Sequence, residues 1–215
     1  VGVIMLAVLA GCGGIADAGR GGGPIRPLVV ILRGQTLSEH PSAVAATSLI
    51  ADAVRGLPRG TEVALFSLNG STKPLFETEL RTREQRERLR EEVKRLNEAS
   101  DEVGTCPGSG VKAVAAWLTT KDPRRPLRVV VVSDLRDDPV VGSDGKKRPV
   151  VPAIAADWSF LADRKATLTA VCVAPDLVPA VHAAWRAAVP DTTVLPWTRS
   201  LTARDLRLTS RAGGF

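Results

Sequence analysis

Three short stretches of the chain carry oxygen-bearing side chains that could act together: Gly34-Gln35-Thr36-Leu37-Ser38, Gly104-Thr105 and Ser133-Asp134-Leu135. Hydroxyl and carboxylate side chains brought to one crevice could hold a ligand or partner by hydrogen bonds. The same groups equally suit turn and capping chemistry, with Ser38 or Ser42 placed to cap a helix that begins near Pro41. Asp134 likewise suits a strand-end turn, since Asp137-Asp138-Pro139 beside it reads as a solvated acidic loop. Other chemistries fit less well. The run from Gly104 to Lys112 lacks the Gly-Lys-Ser/Thr ending of a phosphate loop. Ser109, between Gly108 and Gly110, lacks the Gly-x-Ser-x-Gly elbow, and the two histidines, His40 and His182, have no evident acidic partner. No short Cys-x-x-Cys or His-x-x-x-His spacing offers a zinc site. With no nucleophile matched to a base, binding rather than catalysis is expected.

For the three stretches to meet, the elements between them must form an open sheet. Pro27 to Leu32 and Pro126 to Ser133 are continuous apolar, β-branched runs, the pattern of strands buried on both faces, and Thr167 to Val173 is a third. Thr61 to Leu68 alternates as a strand, Asn69-Gly70 offers a turn, and Lys73 to Leu80 can pair back as an antiparallel edge; Thr192 to Trp197 is a last strand. Helical spacing marks Pro41 to Leu57, Thr82 to Ala99 (capped by Thr82), Gly108 to Thr119, Ala153 to Ala162 and Val178 to Ala188. Alternation of this kind predicts a three-layer, doubly wound α/β fold with a mostly parallel sheet and one antiparallel edge strand. In such a sheet ligands bind beyond the carboxyl ends of the strands at the switch point, which selects the loops after Leu32, around Thr105 and after Ser133. Trp117, Trp158 and Trp185 read as core contacts. The stretch from Asp137 to Val151 is long for a strand-to-helix loop; it either shapes a partner surface or is a tolerated surface loop.

The amino-terminal segment predicts location. Leu9-Ala10-Gly11-Cys12, after the apolar run Val3 to Val8, resembles the lipobox of a bacterial lipoprotein signal peptide, which implies cleavage before Cys12 and a lipid on its thiol. The expected organisation is a signal peptide over 1–11, a lipidated glycine-rich tether over 12–26, one domain over 27–197 and a tail over 198–215 without strong pattern. The protein is then extracytoplasmic and lipid-anchored to the bacterial cell membrane. In that oxidising compartment Cys106 and Cys172 are permitted, though not required, to form a disulfide. The formal net charge of +6 is spread over several elements. It forms no stripe with interleaved aromatics, so nucleic acid is not expected, and attraction to anionic lipid or cell-wall polymer is the simpler account.

The order of the three loops resembles the von Willebrand factor A (vWA) fold over Leu28 to about Trp197. In that family an Asp-x-Ser/Thr-x-Ser loop, a later threonine and an aspartate after the fourth strand form a metal-ion-dependent adhesion site. The resemblance places Thr36 and Ser38 on the two hydroxyl ligands, Thr105 on the loop threonine and Asp134 on the later carboxylate. Gly34 falls where the first aspartate belongs. Without that anion the implied site is degenerate: no cofactor is required, and Mg²⁺ binding is weak or absent. Glu39 could replace the carboxylate only with altered spacing, and Arg33 would add positive charge if it turned inward. The implied function is binding of a protein or cell-envelope partner. The alternative is a divergent envelope enzyme, or an anion- or small-ligand-binding protein using the same crevice with Arg33 or Lys112 as its charge.

Overall fold

The computed structural model describes residues 26–34, 40–68, 73–96, 106–136 and 152–208. Six strands form one sheet in the order β3-β2-β1-β4-β5-β6. They are β1 (Leu28–Arg33), β2 (Glu62–Ser67), β3 (Phe76–Glu79), β4 (Leu127–Val132), β5 (Ala166–Val173) and β6 (Thr192–Pro196). All neighbours are parallel except the β2–β3 pair, so β3 is the antiparallel edge that the sequence predicts. The chain leaves β1 toward β2 and later crosses to β4 on its other side. The switch point therefore lies between the carboxyl ends of β1 and β4, where Arg33 stands level with Val132.

Each inner strand is buried on both faces, which is why its residues are apolar without alternation. Leu28, Val30 and Leu32 join Phe66, Val129 and Val131 under α3 (Pro107–Leu118) and α4 (Val178–Ala188). Val29 and Ile31 join Val63, Leu65, Val130 and Val132 under α1 (Pro41–Ala53) and α2 (Arg83–Arg95). Helix α2 begins with a capping box: the Thr82 hydroxyl accepts from the Gln85 amide while the Gln85 side chain accepts from the Thr82 amide. Among the described residues no helix is long and apolar enough to cross a membrane.

Two expectations differ from the structure. Ala153 to Ala162 is not one helix but two short 3₁₀ turns, Ala153–Ala155 and Ser159–Leu161. The Ala153 carbonyl accepts from the Trp185 indole at 2.7 Å, and the Asp157 carboxylate accepts from the Ser159 amide at 2.9 Å. These bonds replace the helical ladder, and they let Trp158 pack edge-on to Trp185 with ring centres 5.2 Å apart. The tail is the second difference. Residues 198–208 return across the α1 and α2 side of the sheet and bury Leu206 and Leu208 in that core. Arg207, bonded to both carboxylate oxygens of Asp191, and Arg128, which donates to the Arg207 and Leu208 carbonyls, hold the segment down. Leu206→Ala and Leu208→Ala are each expected to lower the unfolding free energy by about 2–5 kcal/mol in chemical denaturation, as for buried core leucines. A loss below about 0.5 kcal/mol, typical of surface substitutions, would show a pendant tail.

Candidate functional site

At the switch point the backbone ties three loops into one cluster. The Gly34 amide donates to the Val132 carbonyl at 2.9 Å, the Leu68 amide to the Arg33 carbonyl at 2.9 Å, and the Cys106 amide to the Leu68 carbonyl at 2.6 Å. The carboxyl ends of β1, β2 and β4 and the entry to α3 thus share one edge. Four of the eight buried polar or charged residues among those described, Arg33, Ser67, Ser133 and Asp134, collect there. Helix α3 approaches closely because Gly110 lacks a side chain; a Cβ there would lie 2.5 Å from a Leu68 methyl.

Arg33 turns inward. As the last residue of β1 it follows Val29 and Ile31 onto the α1 side of the sheet, where it is 1% exposed and level with Ser67 of β2. Its Nη1 donates to the Gly34 carbonyl at 2.8 Å. Burial pushes the guanidinium below its ordinary pKa, while Cys172 and the Asp134 carboxylate pull it back up. Asp134, 6% exposed, accepts from the Arg136 amide at 3.3 Å, and its backbone carbonyl accepts from Ala174 at 3.0 Å. The Ser133 hydroxyl accepts from the amide of Leu135, whose φ of 58° lies in the left-handed region. Asp134 therefore does serve a strand-end turn, and in doing so it is held within reach of the Arg33 charge.

A bulge in β5 completes the cluster. Ala170 pairs with Val194 but Val173 pairs with Pro196, so β5 carries one extra residue over this span. Val171 and Cys172 consequently face the same side, and Cys172 takes a φ of 65°. Its thiol donates to the Ser42 carbonyl at 3.4 Å in the first turn of α1. Burial pushes that thiol's pKa up to about 11 against the opposing pull of Arg33, so it stays a neutral donor. No disulfide joins Cys106 and Cys172. The sheet separates them: Cys172 lies under α1, whereas the Cys106 sulfur is 3.1 Å from the Ser109 hydroxyl on α3, in the opposite layer.

An outer rim stands over the cluster. His40, not Ser42, caps α1: its Nδ1 accepts from the Ser42 amide at 3.3 Å, while the Ser42 hydroxyl donates to the Trp197 carbonyl at 2.8 Å. The His40 ring stacks on half-buried Trp197 at 5.5 Å, the Arg136 guanidinium lies 5.9 Å from the Trp197 ring, and Arg136 pairs with Asp176 at 3.0 Å. Four strand-end segments, after β1, β4, β5 and β6, each give one of these residues. The sequence carries no local signal for this rim, because its members lie up to 157 residues apart and meet only through the parallel sheet. Of the residues expected at the site, the structure describes Gly34 and Asp134, which follow the adjacent strands β1 and β4. Cys12, Thr36, Ser38, Glu39 and Thr105 lie outside the described residues, as does the whole of the long loop from Asp137 to Val151. Lys112 is exposed on α3 and does not share the burial of Arg33.

No protein-family model and no curated protein matches the sequence. Solved structures do match. A von Willebrand factor type A structure from Catenulispora acidiphila superposes with a TM-score of 0.55 over 84% of this chain, at 16% identity. The fold is vWA-like. The pilus adhesin SpaC from Lactobacillus rhamnosus GG superposes with a TM-score of 0.55 over 86% of the chain at 11% identity, and a second SpaC structure with 0.54 over 86% at 8%. The chain spans 40% of the length of the first structure and 29% and 30% of the two SpaC structures.

Of the residues that the vWA resemblance assigns to a metal, the structure describes only Gly34 and Asp134. Gly34 has no side chain, and its carbonyl already accepts from Arg33. No group of three or more His, Cys, Asp or Glu that could hold a metal occurs among the described residues. The left-handed Cys172 offers a direct check on this geometry, because such a φ disfavours any side chain with a Cβ by about 1–2 kcal/mol. Cys172→Gly is expected to be more stable than Cys172→Ala by about 1 kcal/mol in denaturant unfolding, whereas at an ordinary strand position glycine is the less stable by about 0.5–1 kcal/mol.

Proposed function

We propose that this protein is a lipid-anchored, extracytoplasmic bacterial lipoprotein whose vWA-like domain binds a protein or cell-envelope partner on the carboxyl-end face of its sheet. The domain is not an enzyme and requires no metal ion in this reading. One observation carries it: the rim of His40, Trp197, Arg136 and Asp176 presents stacked aromatic and charged side chains at the topological switch point. Trp and Arg are the side chains that most often dominate binding energy at interfaces, and here both are fixed by their neighbours before any partner arrives. The pilus adhesin among the structural neighbours is consistent with a binding role, and the lipobox-like Leu9-Ala10-Gly11-Cys12 supports the anchor. No described cluster offers a nucleophile with a base, and the Cys172 thiol is held neutral.

The test is capture of envelope components by the full chain, compared with the rim double variant Trp197→Ala/Arg136→Glu and with Arg124→Ala at the opposite end of the sheet. The rim variant is expected to weaken capture at least tenfold, and Arg124→Ala to leave it unchanged. Equal capture by all three proteins would place the partner elsewhere. Cys12→Ala is expected to move the protein from the membrane fraction to the soluble extracytoplasmic fraction; retention on the membrane would remove the lipid anchor from the account.

A further inference from the structure

We propose that the end of the sheet where the parallel strands begin is the membrane-facing side of the domain: its free cations lie on an anionic lipid surface, and the switch-point rim points outward from the opposite end. This deepens the reading of a lipid-anchored binding domain, and only the orientation relative to the anchor rests on that reading.

Charge is gathered at this end. The six segments that enter or leave it, 26–27, 58–61, 80–82, 121–126, 162–165 and 190–191, carry eight Lys and Arg against three Asp and no Glu. Glu62 and Glu79, at the strand ends themselves, are each shared by two cations: Glu62 by Lys121 and Arg125, Glu79 by Arg26 and Arg81. Arg124 is neutralised by both carboxylate oxygens of Asp122. Arg59 and Lys165, by contrast, are exposed and have no ion pair or hydrogen bond among the described residues. They stand ahead of β2 and β5, so free positive charge spans the face rather than one corner of it.

Both ends of the described chain reach this same face. Arg125 donates to the carbonyls of Arg26 and Pro27 at 2.8 and 3.3 Å, and the Arg26 side chain lies across Gly60 to bond Glu79 at 3.0 Å. Gly60 permits that crossing, since a Cβ there would lie 2.4 Å from the Arg26 side chain. At the other terminus Arg128, in the first turn of pairing between β4 and β1, donates to the Leu208 carbonyl, and Arg207 bonds Asp191 ahead of β6. A lipid on Cys12 therefore holds this face within about 50 Å of the bilayer even with residues 12–26 fully extended. The rim lies farther out by the length of β1, about 20 Å. Attraction of Lys and Arg to anionic lipid fades within a Debye length of about 8–10 Å, so it favours the orientation that sets these cations on the surface. A soluble polyanion would gain nothing from having the chain connections on the same face, which is why lipid is the favoured occupant.

The test uses the full chain with Cys12→Ala, which carries no lipid of its own, so its outcome is separate from that of the anchor and of the rim. The protein is sedimented with vesicles of phosphatidylcholine alone and of equal parts phosphatidylcholine and phosphatidylglycerol. Binding is expected with the anionic vesicles only and is expected to fall as salt is raised. Adding Arg59→Glu/Lys165→Glu is expected to weaken it by about tenfold or more, while Lys94→Glu/Lys112→Glu, the same charge change placed on α2 and α3, leaves it nearly unchanged. In anionic bicelles, a lipid spin-labelled in its headgroup is expected to broaden the amides of Gly60, Lys121 and Lys165 before those of His40, Arg136 and Trp197. Equal sedimentation with both vesicles, unchanged binding by Arg59→Glu/Lys165→Glu, or broadening strongest at the rim would each overturn the proposal. Binding of soluble polyglycerol phosphate with none to the anionic vesicles would also overturn it, assigning the face to a wall polymer.

Discussion

The constraint on which the functional end of this molecule depends is the burial of a guanidinium at the carboxyl end of its central strand. Arg33 cannot leave, because its neighbours in β1 are locked between β2 and β4, and it is 1% exposed. The Gly34 carbonyl accepts from it, and a strand bulge turns Cys172 to the same side of the sheet. That bulge spends backbone strain in the left-handed region at Cys172, and the strained residue in turn bonds the first turn of α1 through the Ser42 carbonyl. Ser42 passes the connection on to Trp197, and His40 closes it by capping the helix and stacking on the same ring. The buried strand end inside and the surface geometry outside are thus one connected structure.

The wider use of arginine in the chain follows the same chemistry. Arg86 donates to the carbonyls of Arg55 and Leu57 where α1 ends, and Arg164 to those of Leu118 and Lys121 where α3 ends. Arg125 reaches the carbonyls of Arg26 and Pro27 ahead of β1, and Arg128 those of the carboxyl-terminal segment. Each guanidinium bonds carbonyls at a helix end or in an irregular segment, and at the ends of α1 and α3 its charge also favours the negative end of the helix. A share of the basic excess is therefore turned inward to hold the fold. The net charge of +6 is correspondingly weaker support for a polyanionic partner than composition alone suggests.

The sheet was legible in the sequence because parallel strands buried on both faces must be uninterrupted apolar runs, as Leu28 to Leu32 and Val129 to Val132 are. The switch point was legible for a topological reason: alternating strands and helices place it between the carboxyl ends of β1 and β4, where Gly34 and Asp134 follow their strands. The direction of Arg33 was not, since a strand buried on both faces has no polar alternation to say which layer its last residue enters. The two 3₁₀ turns were hidden because the Ala153 carbonyl is claimed by Trp185, 32 residues away, which no local propensity encodes. Nor does Leu206-Arg207-Leu208 show a periodicity; it is buried by the Arg207–Asp191 and Arg128 contacts that form only once β6 is in place.

The account stands most directly on where the Arg33 guanidinium lies. A crystal structure of the full chain answers that question. The account predicts the guanidinium inside the core, bonded to the Gly34 carbonyl. Arg33 turned out of the core, with its guanidinium in solvent, would contradict it.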